Sequence, residues 1–348
     1  MNYQYKTMES EGDLLTYRDA FYENGSPKDI DRLRWMHFEN HQKRPMTTIV
    51  KDEGGNVAAI YATLPVIASV AGERISICQS LDTMTDLKHR GKGLFVSAAK
   101  SQYLLSKSEG VGFVYGFPNG KSVHGFLKHL GWNLLDPVPF IFKPIRAGYF
   151  FRKILGNTIG KLLDFPIAFR KKVNLNSNFE IKPVYLFDDE YNALWQAFSS
   201  DINIAVARDS KYLNWRYINK PNEDYKIVAL YENNRLRGFV VYCLKQKHGG
   251  KVGYIMELIT DLSSSQHARV LLGHANNDLI ASKCEVVLAW CFDFSPNAEV
   301  FKRIGFFSLP SKLRPIELHF GYSNFNCKDS VLAERKNWYL SYSDSDTV

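Results

Sequence analysis

The order of apolar patterns along the chain occurs twice, and this repetition is the feature that most restricts the fold. In the first half, alternating apolar runs within 47–85 precede a helical pattern, a short apolar run and a second helical pattern that ends at Gly131-Trp132. The same order recurs from residue 226 and ends at Gly305-Phe306. Strands have a side-chain period of two and helices a period near 3.6. We therefore predict an α+β protein with two similar domains in tandem, each a mostly antiparallel sheet flanked by helices.

The boundaries follow from where the pattern stops and restarts. A chain of 348 residues is long enough for two hydrophobic cores. We place the first domain at 1–139, a basic amphipathic linker at 140–179 and the second domain at 180–348.

Composition narrows the class of protein. Hydrophobic residues make up 45% of the chain and the formal net charge is +8, which fits a globular protein that meets phosphates or an anionic surface. The five cysteines form no C-x-x-C pair, so neither a disulfide framework nor a zinc site is expected. The polar N-terminus and the absence of a long apolar run predict a cytoplasmic protein without a membrane span.

The segment Arg90-Gly91-Lys92-Gly93 lies between a predicted strand and a predicted helix. Glycines in such a turn let backbone N–H groups approach a ligand closely, and the positive end of the helix dipole favours an anion. Neither a Walker A nor a dinucleotide-binding glycine pattern is present. The loop therefore predicts a site for a phosphate-bearing ligand.

Residues Thr83–Phe95 resemble motif A of the GNAT acyltransferase superfamily, whose core is Gln/Arg-x-x-Gly-x-Gly/Ala. Arg90 and Gly93 match this core, whereas Phe95 stands where glycine or alanine is usual, and we expect its ring to crowd the helix start. Asn119–Trp132 is similar to motif B of the same superfamily, and Asn297–Phe306 is similar to a second copy. The resemblance implies a tandem GNAT protein.

The resemblance also implies the cofactor contacts. The backbone of Met84 and Thr85 would pair with the pantetheine arm of coenzyme A. The loop and helix start, which comprise Arg90, Gly91, Lys92, Gly93, Leu94 and Phe95, would hold the pyrophosphate. Asn119 would bind the pantetheine or cap the following helix. The second half has Asp261-Leu262-Ser263-Ser264 at the corresponding place, so we expect one coenzyme A site and no metal.

The acid and base of an acyl transfer are harder to assign. The tyrosine that commonly serves as acid in this superfamily is replaced by Leu127 in the first half and by Phe301 in the second. The candidate bases are Asp82, which strand alternation turns away from the thioester unless a bulge intervenes, His124 and Glu257. Each also has a structural interpretation, as a cap, an ion pair or a core residue.

The segment 140–173 carries eight basic residues and one acid, Asp164, with apolar residues between them. It is either a solvated connector or a surface that contacts an anionic membrane or a lipid-linked acceptor. No nucleic-acid-binding motif is present, so nucleic acid is not an expected partner.

Three functions are compatible with these observations. The first is an acyl-CoA-dependent N-acyltransferase, using acetyl-CoA, that acts on an amino group of a small metabolite or amino sugar. Asp209–Tyr217 is similar to the second halves of acyltransferases associated with bacterial polysaccharide biosynthesis, which favours this hypothesis. The alternatives are a non-catalytic acyl-CoA-binding protein and a Fem-like aminoacyl transferase.

Overall fold

The computed structural model describes residues 2–171, 178–310, 314 and 316–347. Its strands form two mixed sheets. The strands of the first sheet, in chain order, are β1 (Gln4–Thr7), β2 (Met46–Lys51), β3 (Val57–Val70), β4 (Glu73–Thr85), β5 (Phe113–Gly116), β6 (Asn133–Leu134), β9 (Ile204–Val206) and β15 (Gly321–Asn324). Those of the second are β7 (Phe140–Pro144), β8 (Phe179–Pro183), β10 (Lys226–Glu232), β11 (Arg235–Lys247), β12 (Gly250–Thr260), β13 (Val286–Trp290) and β14 (Phe307–Ser308).

The helices cover these sheets. They are α1 (Glu11–Glu23), α2 (Ile30–His37), α3 (Leu94–Ser108), α4 (Val123–Leu130), α5 (Ala147–Leu155), α6 (Asn157–Leu162), α7 (Asp189–Ser199), α8 (Ser210–Leu213), α9 (Ser265–Ala281), α10 (Ala298–Ile304) and α11 (Asp329–Leu332). Local sequence sets several of their ends. Ser10 and Asp13 form a reciprocal capping box that starts α1. Gly131 and Gly305, both at positive φ, end α4 and α10.

Two faces of the first sheet are covered by different helices because side chains alternate along β3. Ile60 and Ala62 pack with Leu14, Tyr17 and other residues of α1 and α2. Ala59 and Tyr61 pack on the opposite face with α3 and α4. The prediction of mostly antiparallel sheets flanked by helices is confirmed, since among the strand pairs of the described residues only β4–β5 and β12–β13 run parallel.

Three short strands cross between the halves, and one of them, β9, pairs antiparallel with β3 of the first sheet. β7 follows the first half directly, yet it pairs with β13 and β14 of the second sheet. β15, near the end of the chain, inserts between β5 and β6 of the first sheet. The domain boundaries at residues 139 and 179 stay a prediction. Strand pairing shows that each sheet includes a segment from the other side of these boundaries. The predicted basic segment contains α5 and α6, while its residues 172 and 173 lie outside the described residues.

The halves also share a core. Trp35 of α2 stacks on Trp215, with ring centroids 4.5 Å apart. Each indole N–H donates to the other residue's backbone carbonyl, Trp35 Nε1 to Trp215 O at 2.8 Å and Trp215 Nε1 to Trp35 O at 3.1 Å. The segment Asp209–Tyr217, singled out in the sequence, thus lies at the contact between the halves.

Candidate functional site

A cleft opens in the first sheet where two parallel strands part. β4 and β5 pair only from Cys78–Val114 to Ser80–Gly116, whereas β4 continues to Thr85. Gly116 marks the last close approach, because an added Cβ there would lie 3.1 Å from Cβ of Ser80. Beyond Ser80, the backbone of residues 81–85 still pairs with β3 on one side, but β5 no longer pairs with it on the other. A free strand edge of this kind can pair with an extended amide-containing ligand.

A bulge interrupts β4 at the start of this free edge. Tyr61 of β3 pairs with Thr83, but Thr63 pairs with Ser80, so Leu81 and Asp82 together face a single residue of β3. Asp82 was a candidate base only if a bulge interrupts this strand, and the bulge is present.

Asp82 faces α1 and the loop before α2. Its Oδ2 accepts a hydrogen bond of 2.8 Å from the Tyr17 hydroxyl, and its Oδ1 lies 2.6 Å from Lys28 Nζ. Burial and the Asp82 charge raise the pKa of Tyr17 well above its ordinary value, so this phenol remains a donor. Neither partner was expected, because Tyr17 and Lys28 are more than fifty residues away in sequence and no local pattern connects them.

The glycine loop is held at its entrance by the end of α1. Asp86 Oδ1 accepts from the Lys88 amide at 2.9 Å, and Asn24 binds both Asp86 Oδ2 and the Leu87 amide. His89 is buried between the Tyr3 hydroxyl, at 3.1 Å, and Asp52. These contacts orient the exposed stretch that follows.

Residues Arg90 to Gly93 are exposed, and both glycines adopt the left-handed conformation, with φ of 77° at Gly91 and 73° at Gly93. A Cβ added at either glycine would meet no atom within 4 Å, so the space over the loop is open. The first turn of α3 closes with a bond from the Ser97 amide to the Gly93 carbonyl at 3.1 Å. The amides before it have no partner within a helix, which makes them available to an anion.

Phe95 does not crowd the helix start as expected, because its ring is turned toward α4. It packs edge-on against Phe126 at 5.2 Å and lies 6.2 Å from Tyr61. An added Cβ at Gly125 would come within 2.9 Å of the Phe95 ring. The glycine of α4 thus makes room for the unusual phenylalanine of α3, a compensation that motif comparison missed.

Asn119 forms the turn that leads into α4, whose N-cap residue is Ser122. Its Oδ1 accepts from the amides of Lys121 and Ser122 at 3.0 and 3.1 Å, while the residue itself stays exposed. His124 is exposed on α4, and none of the described residues forms a hydrogen bond or ion pair with its side chain. The structure therefore does not bring His124 into contact with Asp82 or the loop.

The corresponding cleft of the second half is bridged by a side chain and keeps a cavity of about 180 Å³, lined in part by Thr260, Leu262 and Asn297. β12 also outruns its parallel partner β13, since pairing ends at Tyr254–Leu288. Here Asn297 Nδ2 donates across the gap to the Leu258 carbonyl at 2.7 Å. The start of α9 is capped by Ser264, and the carboxylate of Asp261 lies beside it, bound to Arg237 and His267. An acid at this position disfavours a phosphate.

Glu257 lies in a closed network of buried side chains. Both its oxygens accept hydrogen bonds, Oε2 from Arg208 at 3.0 Å and Ser341 at 2.8 Å, and Oε1 from Tyr339 at 2.6 Å. Its side chain and that of Arg208 have no exposed surface, and Arg208 also binds Asp344. This geometry gives Glu257 a structural role and corrects the expectation that it reaches the coenzyme A cleft.

Two kinds of feature are absent from the described residues, a metal-binding cluster and a membrane-spanning helix. No group of three or more His, Cys, Asp or Glu side chains in the described ranges is arranged to hold a metal ion. Within the same ranges, no helix combines the length and apolar character needed to cross a membrane.

Comparison with known proteins identifies the architecture. Residues 5–135 match the family model described as Acetyltransferase (GNAT) domain. No curated protein matches the chain. The fold is shared with a probable N-acyltransferase from Enterococcus faecalis, at TM-score 0.64 and 11% identity over 94% of this chain and 73% of that one.

Two further solved structures share the fold over most of the chain. Saccharomyces cerevisiae N-myristoyltransferase with bound myristoyl-CoA gives a TM-score of 0.60 at 11% identity, covering 94% of this chain and 80% of that one. A GCN5-related N-acetyltransferase from Anabaena variabilis gives 0.62 at 12% identity, covering 92% and 72%. Residues 5–135 thus match a GNAT acetyltransferase domain, and the chain shares the fold of these solved N-acyltransferases.

Proposed function

We propose that this chain is an acyl-CoA-dependent N-acyltransferase with one coenzyme A site, in its first half. The observation that carries the proposal is the parting of β4 from β5 after Ser80, which leaves a free strand edge leading directly to the open glycine loop. The match of residues 5–135 to a GNAT domain supports it. The side chain that bridges the second cleft and the acidic loop beside it support the restriction to one site.

The loop and the strand edge bind different parts of the cofactor. Arg90, Lys92 and the amides of the first turn of α3 hold the pyrophosphate, where charge and backbone donors converge. The backbone of Met84 and Thr85 pairs with the amides of the pantetheine arm, which brings the thioester toward the bulge at Asp82.

Asp82 is the base that we propose. Asp82 binds the ammonium of Lys28, and the ammonium of an acceptor carries the same charge. The carboxylate is therefore suited to bind an acceptor amine that approaches from the side of α1 and α2. The nitrogen of the neutral amine attacks the thioester carbonyl. After the attack this nitrogen carries one proton in excess, and that proton passes to Asp82. The C–N bond forms as the C–S bond breaks, and the coenzyme leaves as a thiolate that takes up a proton from solvent.

Acetyl-CoA is the co-substrate that we propose, since the matching family model is an acetyltransferase domain. The proposed acceptor is the amino group of a small metabolite or amino sugar, used in polysaccharide assembly in the cytoplasm. This acceptor depends on the similarity of Asp209–Tyr217 to acyltransferases of that process. In the folded chain the same segment joins the two halves, so it supports the acceptor only through resemblance.

The test measures cofactor binding and turnover separately. Calorimetry follows acetyl-CoA binding, and thiol release is followed across a panel of amines and amino sugars. Arg90→Glu reverses a charge on the exposed loop, and we expect it to weaken acetyl-CoA binding by roughly tenfold or more. Arg235→Glu makes the same change at an exposed hairpin of the second half and should leave binding unchanged.

The outcomes discriminate between two functions. Thiol release with at least one acceptor establishes the transferase, and the absence of any acetyl-CoA binding contradicts the proposal. Binding without release on any acceptor favours a non-catalytic acyl-CoA-binding protein, which the replacement of the usual tyrosine by Leu127 and Phe301 permits.

A further inference from the structure

A cavity of about 530 Å³ lies in the second half, far along the chain from the glycine loop. It is bounded by α9, by the end of α10, by Lys143 of β7 and by the chain around Phe169. Its lining residues are Lys143, Phe169, Lys171, Gln266, Arg269, Val270, Gly273, Asn276, Asn277, Ile280, Arg303 and Ile304. The volume suits a small-molecule ligand, and none of the residues assigned to the coenzyme A site takes part.

The charge on this lining is entirely positive. Among the described residues, four cations face the cavity and no carboxylate does. Arg303 is paired with Glu299, but Lys143, Lys171 and Arg269 form no ion pair with the described residues. Burial and the neighbouring Lys171 charge lower the pKa of Lys143 to about 8. Two ammonium groups are thus held near each other without an anion between them.

Asn276 is the second, independent sign of a ligand. It is 3% exposed, and neither Nδ2 nor Oδ1 has a hydrogen-bond partner. Leaving a buried amide unpaired costs about 1–3 kcal/mol per polar group, so native proteins rarely do so without a reason. The adjacent Asn277 is fully used, since it binds the backbone of Lys171 in both directions at 2.9 and 2.7 Å.

We propose that this cavity binds a phosphate-bearing ligand. Its phosphate accepts from Lys143, Lys171, Arg269 and the Asn276 Nδ2 group, which supplies both the missing anion and the missing hydrogen-bond partner. Val270, Ile280 and Ile304 contact the less polar part of the molecule.

The phosphate comes either from a soluble compound or from a phospholipid headgroup. Phe169 is 66% exposed at the mouth of the cavity, and it is the last of several exposed apolar side chains along 154–169. The lipid source is therefore included in the test.

The experiment uses inorganic pyrophosphate as the soluble probe, followed by calorimetry, and phosphatidylglycerol vesicles as the lipid probe, followed by cosedimentation. The variants are Lys143→Met, which removes a charge from the cavity, and Asn276→Leu, which removes the unpaired amide and should leave the fold intact. Lys182→Met is the matched control, because Lys182 lies on β8, at the other edge of the second sheet. Arg90→Glu tests the glycine loop.

We expect each cavity variant to weaken binding of one probe by roughly tenfold or more, while Lys182→Met leaves that binding unchanged. Arg90→Glu removes pyrophosphate binding at the glycine loop, so the cavity variants are also measured in that background. A loss confined to pyrophosphate identifies a soluble ligand, and a loss confined to vesicles identifies a lipid headgroup. Binding that falls only with Arg90→Glu belongs to the glycine loop and overturns the proposal. Equal binding by wild type, Lys143→Met and Asn276→Leu overturns it as well. Acetyl-CoA binding is measured beside each variant, so failure here is separate from failure of the transferase.

Discussion

At the scale of single residues, Asp82 and Glu257 show how surroundings assign different roles to similar groups. Each carboxylate lies beside a bulge in the third long strand of its half, β4 or β12. Glu257 has no exposed surface and is neutralised by Arg208, an arrangement that stabilises the folded chain once both charges are buried. Asp82 keeps 16% of its side chain exposed and pairs with a flexible lysine. Only Asp82 can exchange its partner for an acceptor amine.

Asp82→Asn should reduce thiol release by roughly 10²–10⁴-fold, the range typical of a lost general base. Its amide oxygen still accepts from Tyr17, so acetyl-CoA affinity and the unfolding midpoint should stay close to wild type. Steady-state kinetics and calorimetry measure both quantities. Asp31→Asn, at an exposed carboxylate of α2, is the control, and equal turnover by Asp82→Asn and wild type would exclude the assigned role.

At the scale of elements, α5, α6 and the chain that follows them form an unusual surface. Of the nineteen exposed large apolar side chains in the described part of the chain, eight lie within 154–169: Ile154, Leu155, Ile159, Leu162, Leu163, Phe165, Ile167 and Phe169. Lone exposed apolar residues are common, but such a concentration in sixteen residues marks an interaction surface. The excess of basic residues in the enclosing segment 140–173 complements an anionic lipid bilayer. Contact with an anionic membrane is therefore a prediction that this surface supports.

Leu162→Glu should reduce cosedimentation with vesicles that contain phosphatidylglycerol, because Leu162 is 82% exposed and the change adds a negative charge. Binding should also fall with added salt and be weak on phosphatidylcholine vesicles. Tyr185→Glu, at an apolar residue that is 80% exposed elsewhere in the second half, is the matched control. Binding that is insensitive to Leu162→Glu, or equal on both lipids, would rule out this surface as an anionic-membrane contact.

At the scale of the whole molecule, the two halves are joined by three kinds of contact. β7 and β15 are exchanged between the sheets, and Trp35 and Trp215 are stacked and bonded to each other's backbone. Arg32 of α2 lies 3.6 Å from the Glu223 carboxylate and donates to the backbone carbonyl of Asp346 at 3.4 Å. Since each sheet needs strands from the other side of the chain, we expect the halves to unfold together.

A double-mutant cycle of Trp35→Phe and Trp215→Phe measures the contact between the halves. Each change removes one N–H donor, and each should lower the free energy of unfolding by about 1–3 kcal/mol. The coupling between them should be about 0.5–1.5 kcal/mol, because the stacked rings share the contact. Denaturant unfolding should remain a single transition.

Trp132→Phe supplies the comparison for this cycle, since Trp132 Nε1 donates to Tyr103 at 2.7 Å within the first half. Its effect should add to that of Trp35→Phe without coupling. Separate transitions for the two halves, or no coupling between Trp35 and Trp215, would contradict the shared core.

The sequence alone determined the features that depend on neighbours along the chain. The glycines at 91 and 93, the hairpin turns and the Gly-aromatic helix ends have local backbone requirements, so the loop, the order of elements and the two-sheet plan could be predicted from them. The strand exchange, the pairing of Asp82 with Tyr17 and Lys28, the space that Gly125 provides for Phe95 and the orphaned amide of Asn276 were decided by tertiary structure. Contacts between residues distant in sequence depend on how whole elements pack, and a local pattern carries no information about that packing.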